Sequence, residues 1–232
     1  MPHVELDLTI HNGAGERIAA TFLTPNNASP APAVLLCQGL SGVRNLVMPT
    51  VASVLADAGI ASLRFDYAGH GESSGDRGWI NPFARVSDAR YVLSYLIGMQ
   101  EVDPHRVGVY GHSYGGPVAL HLAAADPQVR AAVTVSGPGN GEAMLRAPRP
   151  AWEWVELKKR VAVDRLAISR GHEPEVVPVN DIFPFSPAFA AAYEKLKASQ
   201  GGTSALPGTD GLGKTSFYLA SVDAMSAFRP EA

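Results

Sequence analysis

The sequence has little cysteine and no strong excess of charge of either sign. Cys37 is the single cysteine in 232 residues, so no disulfide can form within the chain and no metal site can be built from several cysteines. Lys and Arg number 19 against 22 Asp and Glu. This composition lacks the basic surplus with which proteins bind phosphate backbones or anionic lipids. We therefore expect neither nucleic acid nor a membrane as a partner.

Long hydrophobic runs are also missing. The first residues alternate apolar and polar side chains and lack the basic and then continuously apolar stretch of a leader peptide. No apolar run approaches the roughly 20 residues of a membrane-spanning helix. These absences, with the single cysteine, predict a cytoplasmic chain. Because 46% of the residues are hydrophobic, the chain can bury a core of its own.

Two strand patterns are present in the first 137 residues. Residues 4–8 and 18–22 alternate between apolar and polar around a turn at Asn12-Gly13, which predicts an antiparallel hairpin. Later apolar segments are short and nearly continuous, as in strands buried on both faces; they are 33–37, 60–65, 107–110 and 131–135. Helical stretches separate them, the clearest at about 84–100. The pattern predicts an α/β fold with a doubly wound, mostly parallel sheet.

The strand and helix alternation ends after residue 137. Trp154, Leu157 and Val161 share one helical face, Gly171 is placed to end that helix, and Ser186 to cap another. Residues 200–213 are rich in Gly, Ser and Thr and predict a loop. We predict a core over residues 1–137, a helical segment over 138–222 and a return toward the core over 223–232.

A motif typical of a serine nucleophile lies between one predicted strand and the helix that follows it. Gly111-His-Ser-Tyr-Gly115 has the pattern G-x-S-x-G in the context that a nucleophile elbow requires. A tight turn at Ser113 would expose its hydroxyl, and the following helix would direct its positive end at the same place. Ser113 is therefore the candidate nucleophile.

Three further segments carry a family resemblance, in the expected order. Gln38-Gly-Leu-Ser-Gly42 follows the third strand, 65–75 follows the fourth, and 102–107 leads into the nucleophile strand. With the serine motif, they make the chain resemble the α/β-hydrolase family, in particular its capped esterases and acyl-peptidases. The resemblance implies oxyanion donors at the backbone N–H groups of Leu40 and Tyr114, and neither cofactor nor metal. Gln38 stands where many relatives have histidine.

The resemblance also identifies what the sequence does not supply. In the family, Asp66 and His70 would organise a loop, and the acid and histidine of the triad follow the serine in the chain. After the sixth strand only Glu142 and His172 are available, and we expect both at the surface. Residues 226–232 are similar to the segment before the family's seventh strand. We therefore expect the C-terminal strands to be missing, the triad to be incomplete and the chain to be inactive alone.

An uncovered sheet edge has a second expected consequence. Unpaired strand edges associate with other chains, so the 232-residue chain is expected to self-associate through that edge.

The segment 208–215 matches a different motif, the phosphate-binding pattern G-x-x-x-x-G-K-[ST]. No buried strand leads into it and only 17 residues follow, so we interpret it as a glycine-rich loop. Nucleotide binding remains the third hypothesis, after two stronger ones.

The leading hypothesis is a serine hydrolase that cleaves a small-molecule carboxylic ester, amide or thioester through an acyl-enzyme at Ser113. The alternative is a non-catalytic binding or regulatory module on the same scaffold. Bulky apolar side chains of the helical segment would form the wall of an acyl pocket: Trp152, Trp154, Phe183, Phe185 and Tyr193.

Overall fold

The fold is built on one six-stranded sheet. A computed structural model describes residues 3–25, 30–199 and 216–229. The strands are β1 (Val4–His11), β2 (Arg17–Thr24), β3 (Ala31–Cys37), β4 (Ala61–Phe65), β5 (Val102–His112) and β6 (Val129–Val135). They lie in the order β1-β2-β4-β3-β5-β6. Strands β1 and β2 are antiparallel to their neighbours, whereas β4, β3, β5 and β6 run parallel. The mostly parallel sheet is therefore confirmed.

The opening hairpin forms where the alternating pattern predicts it. Asn12 shapes the turn, because its side-chain oxygen accepts hydrogen bonds from the backbone N–H groups of Ala14 and Glu16. The resulting register places Ile10 opposite Ile18, and both side chains are buried. One face of the hairpin thus enters the core.

Helices cover both faces of the sheet. They are α1 (Met48–Asp57), α2 (Pro82–Ile97) and α3 (Gly115–Ala125). The apolar side of α1 packs on β2 and β3, whereas α2 and α3 pack together on the opposite face. Helix α2 begins earlier than its apolar pattern predicts because Asn81 caps it and proline occupies its first position. The doubly wound arrangement is confirmed.

The remaining elements form a second hydrophobic cluster. They are α4 (Gly141–Arg146), α5 (Ala151–Ser169), β7 (Val176–Pro178), α6 (Val179–Ile182), α7 (Pro187–Ser199), β8 (Ser216–Tyr218) and α8 (Ser221–Ala227). Trp154, Leu157 and Val161 are buried in this cluster together with Tyr114 of the sheet half. The cluster thus joins the helical segment to the start of α3.

Several local predictions for the helical segment are met, and one element was not anticipated. Gly171 follows α5 with φ of +87°, and the Ser186 hydroxyl accepts a hydrogen bond from the Phe189 N–H at the start of α7. Strands β7 and β8 pair antiparallel, with Val177 opposite Phe217. Three-residue strands are too short to show an alternating pattern. The predicted boundary at residue 222 lies inside α8, and the division into 1–137, 138–222 and 223–232 stays a prediction.

Some predictions lie outside the described residues. These are the loop at 200–213, the phosphate-binding pattern at 208–215 and the side chain of Tyr193. Among the helices that the structure describes, none combines the length and the apolar composition needed to traverse a bilayer.

Strand β6 forms one edge of the sheet. Every residue from Arg130 to Val135 is exposed, and Val133 exposes 54% of its surface. Within the described part of the chain, no strand pairs with the outer side of β6. An edge strand of small and β-branched residues is open to pairing.

Candidate active site

Ser113 occupies a strained turn between β5 and α3. Its φ is +53°, in the left-handed region that residues other than glycine rarely adopt. The Ser113 N–H donates to the carbonyl of Val135 at 2.8 Å, and the Ser113 carbonyl accepts from the Gly116 N–H at 2.9 Å. The turn is therefore attached to β6 on one side and to the helix on the other. This is the geometry that a nucleophile elbow requires.

Two glycines of the motif allow the backbones around Ser113 to approach closely. A Cβ atom at Gly111 would lie 2.2 Å from the Gly115 carbonyl oxygen, and one at Gly115 would lie 2.2 Å from the Cys37 carbonyl oxygen. Neither distance is compatible with a side chain. The first turn of α3 consequently lies directly against the end of β3, where the candidate oxyanion loop begins.

The loop after β3 lies beside the serine. A Cβ atom at Gly39 would be 3.8 Å from Ser113 Oγ, so Gly39 lies beside the hydroxyl. In the described residues, the backbone N–H groups of Leu40 and Tyr114 donate to no acceptor. The structure thus brings all three predicted site residues into one region, with two N–H groups available for a developing negative charge.

Arg85 binds the loop after β3 through backbone carbonyls. This role was not predicted from the sequence. Its guanidinium donates to the Gly39 carbonyl at 3.0 Å, to the Leu40 carbonyl at 2.5 Å and to His70 Nε2 at 2.8 Å. It lies over the rings of Tyr67, at 4.7 Å, and Tyr114, at 5.7 Å. The available signal is its position, because Arg85 shares the buried stripe of α2 with apolar residues.

His70 has the structural role predicted for it. Its Nε2 faces Arg85, which can only donate, so Nε2 accepts and the proton is on Nδ1. Nδ1 then donates to the Ala68 carbonyl at 3.0 Å. His70 is buried in these contacts, which occupy both ring nitrogens.

Asp66 organises the same loop through a buried ion pair. Its carboxylate accepts from the Arg44 N–H and guanidinium, each at 2.6 Å, and from the Glu72 N–H at 3.0 Å. Burial raises the pKa of Asp66, and the Arg44 donors and charge oppose that rise. These bonds commit the carboxylate to the loop rather than to proton transfer at Ser113.

Cys37 and Gln38 lie at the buried end of β3. Burial raises the pKa of the Cys37 thiol to about 12, which keeps it protonated and consistent with a packing role. Gln38 is also buried, and its side-chain nitrogen has no hydrogen-bond partner in the described residues.

The other histidines and the nearby carboxylate are not bonded to Ser113. His112 is half-buried, and burial lowers its pKa. His172 is exposed just beyond the end of α5. Glu142 forms a partly exposed ion pair with Arg229 at 3.4 Å. In the described part of the chain, no hydrogen bond joins any histidine or carboxylate side chain to Ser113, so no base or acid is assigned here.

An apolar cavity of about 650 Å³, wide open to solvent, lies at the start of the helical segment. Its lining includes Pro138, Met144 and Phe183. In the chain it follows Gly137, where a Cβ atom would lie 3.5 Å from the Ser113 carbonyl oxygen.

The predicted aromatic wall is only partly at this cavity. Trp154 is buried in the second cluster, and Trp152 exposes 69% of its surface. Phe183 lines the cavity and contacts Phe185, with ring centroids 6.3 Å apart. Across the described residues, no three His, Cys, Asp or Glu side chains gather in a way that could hold a metal ion.

Comparison with known families identifies the family of this chain. Residues 32–175 match the family model described as alpha/beta hydrolase fold. This chain belongs to the α/β-hydrolase family. An uncharacterized 31.7 kDa protein of Escherichia coli is 34% identical over 130 residues, 56% of this chain and 46% of that protein. The thiohydrolase aneE of Aspergillus aculeatus is 28% identical over 169 residues, 71% of this chain and 52% of that enzyme.

A solved structure supports the same fold. The α/β hydrolase GrgF from Penicillium sp. sh18 superposes with a TM-score of 0.74 at 18% identity, over 99% of this chain and 74% of that one. The chain spans about half the length of the two curated relatives named above.

Proposed function

We propose that the chain carries the nucleophile half of a serine hydrolase that cleaves a carboxylic ester or thioester, and less readily an amide. The observation that carries the proposal is the geometry at Ser113. A strained serine with φ of +53° borders a loop whose N–H group has no internal acceptor. The family supports hydrolysis in general, and the names of the thiohydrolases among its relatives favour including thioesters.

In the proposed reaction, Ser113 Oγ attacks the carbonyl carbon of the substrate. The carbonyl oxygen becomes an oxyanion that accepts hydrogen bonds from the N–H groups of Leu40 and Tyr114. The tetrahedral intermediate expels the alcohol or thiol and leaves an acyl group on Ser113, which water then removes. The base that takes the serine proton, and the acid that orients it, would come from outside these 232 residues.

The apolar cavity is proposed to take the acyl group. It lies on the side of the elbow where β6 ends, and the helical segment would act as a cap over it. Phe183 and Met144 in its lining favour an apolar chain over a polar one. In a protein that also contains the base and the acid, activity across a series of p-nitrophenyl esters should therefore rise from acetate to hexanoate, and Phe183→Ala should flatten the rise.

The test of the nucleophile uses a fluorophosphonate and intact-mass detection. Ser136 offers a matched control because it also has a positive φ, +55°, and stands at the end of the neighbouring strand. We expect one added phosphonyl group in the parent and in Ser136→Ala, and none in Ser113→Ala. A label that persists in Ser113→Ala would contradict the assignment.

The alternative function is a binding module, favoured by the lack of a base bonded to Ser113 in the described residues. It predicts no labelling of Ser113 at any pH and no ester turnover, while an apolar carboxylate still binds in the cavity. Labelling that depends on Ser113 would therefore contradict the binding module.

A further inference from the structure

We propose that Arg85 is a positioning residue that aligns and polarises the peptide bond whose N–H serves as the oxyanion donor. The inference rests on the proposed function, because it takes Leu40 as that donor. The Gly39 carbonyl and the Leu40 N–H belong to the same peptide unit. Arg85 donates to that carbonyl at 3.0 Å.

Peptide planarity turns this contact into control of the donor. In a trans peptide the C=O and N–H bonds point in opposite directions, so a fixed Gly39 oxygen fixes the direction of the Leu40 N–H. Arg85 also donates to the Leu40 carbonyl. Two consecutive carbonyls are therefore held by one planar fork, whose geometry resists rotation of the peptide between them.

Charge strengthens the effect of alignment. Arg85 is 3% exposed, and no carboxylate forms an ion pair with it in the described part of the chain. Its positive charge faces two carbonyls and the rings of Tyr67 and Tyr114, and it also interacts at longer range with the Asp88 carboxylate of the same helix. A cation bonded to a carbonyl polarises the peptide and makes its N–H a stronger donor. The oxyanion would therefore sense the Arg85 charge through the Gly39-Leu40 peptide.

His70 completes the arrangement by fixing the guanidinium. The Arg85 nitrogen that reaches Leu40 also donates to His70 Nε2 at 2.8 Å, and His70 is anchored to Ala68. Rotation of Arg85 would break both contacts at once. The loop after β4 thereby determines the position of the loop after β3.

A second buried arginine provides a matched control. Arg149 is 8% exposed and donates to the carbonyls of Leu145, Asp181 and Ile182 in the helical segment. Like Arg85, it holds backbone carbonyls, but none of them belongs to the oxyanion loop. Replacing Arg149 should therefore show the effect of losing a buried arginine on the fold, without an effect on the Leu40 N–H.

The experiment compares Arg85→Met, Arg85→Lys and Arg149→Met. The readouts are the maximal rate and the half-saturating concentration of fluorophosphonate labelling at Ser113, corrected for the folded fraction, and the proton chemical shift of the Leu40 amide. Removing an oxyanion donor outright costs about 100-fold or more in rate. We expect Arg85→Met to lower the maximal rate at least about tenfold at unchanged half-saturation, because the donor is misaligned rather than removed. The Leu40 amide signal should move upfield.

The remaining variants make the result decisive. Arg85→Lys should recover part of the rate, since it keeps the charge and one carbonyl bond, and Arg149→Met should match the parent in both readouts. Equal rates for Arg85→Met and Arg149→Met would overturn the inference, as would a slow Arg85→Met with an unmoved Leu40 signal. If Arg85→Met does not fold, a parental rate and Leu40 signal in Arg85→Lys would overturn it.

Failure of the proposed function is recognisable separately. The hydrolase proposal fails if a label persists in Ser113→Ala. In that case, and also if the parent chain is not labelled, the Leu40 amide alone decides the role of Arg85. A shift in Arg85→Met that is absent from Arg149→Met supports the inference, and an unmoved signal in both refutes it.

Discussion

Replacing Ser113 by glycine and by alanine isolates the strain in the elbow, because both changes remove the hydroxyl. At φ of +53°, a residue with a Cβ atom incurs about 1–2 kcal/mol, which glycine avoids. Glycine also lowers the unfolding free energy by about 0.4–1 kcal/mol, because it has greater freedom in the unfolded chain. Ser113→Gly should therefore have an unfolding free energy about 0.5–1 kcal/mol larger than Ser113→Ala. In a chain of this length, that difference corresponds to roughly 2 °C in melting temperature.

Ser94 supplies the control with the opposite sign. It lies inside α2 and its hydroxyl donates to the Arg90 carbonyl at 3.0 Å. Glycine in a helix is less stable than alanine by about 1 kcal/mol, so Ser94→Gly should unfold more easily than Ser94→Ala. Urea titrations of the four variants measure both differences. If glycine were the less stable replacement at both positions, the claim of a strained elbow at Ser113 would be refuted.

Three further predictions concern stability and assembly. Gly115→Ala should cost about 2 kcal/mol and slow the labelling of Ser113, because its Cβ would lie 2.2 Å from the Cys37 carbonyl oxygen. Gly139→Ala, whose Cβ has no neighbour within 4 Å, should change neither the stability nor the labelling rate. The folded pKa of Cys37, about 12 against an ordinary 9.0, predicts stability that is full below pH 9 and falls as pH rises toward 12. Urea unfolding should show the unfolding free energy falling by up to about 1.4 kcal/mol per pH unit. This fall should be less steep in Cys37→Ala. The same pH dependence in the parent and in Cys37→Ala would contradict the burial effect. The chain should self-associate through β6 in sedimentation at rising concentration, and Val133→Lys should suppress it, whereas Val155→Lys, at a similarly exposed position on α5, should not. A parent that stays monomeric would exclude this interface.

The sheet could be predicted from the sequence because its interior strands have an unambiguous pattern. Strands β3 and β4 are buried along almost their whole length, and such strands read as short continuous apolar runs. The start of α2 was displaced from its apolar pattern because Asn81 and the proline after it define the first turn. Strands β7 and β8 were missed because their pairing joins segments far apart in the chain.

The site was predictable where function depends on backbone conformation. The motif around Ser113 specifies a turn with glycines at the positions of closest approach, and the structure has that turn. Arg85 was missed because a motif gives no information on which carbonyls a distant side chain will reach. A charged residue on the buried stripe of an amphipathic helix was the available signal, since a buried charge needs specific partners.

The two ends of the helical segment lie side by side. The Gly141 N–H donates to the Phe228 carbonyl at 3.0 Å, and Arg229 donates to the Asn140 side chain at 2.6 Å. All six strands of the large sheet precede residue 140 in the chain. A segment that leaves and returns at one point can be lengthened, shortened or exchanged without altering the spacing of those strands. Under the proposed function, exchanging residues 141–228 is thus a way to change the acyl selectivity while the strands and Ser113 stay as they are.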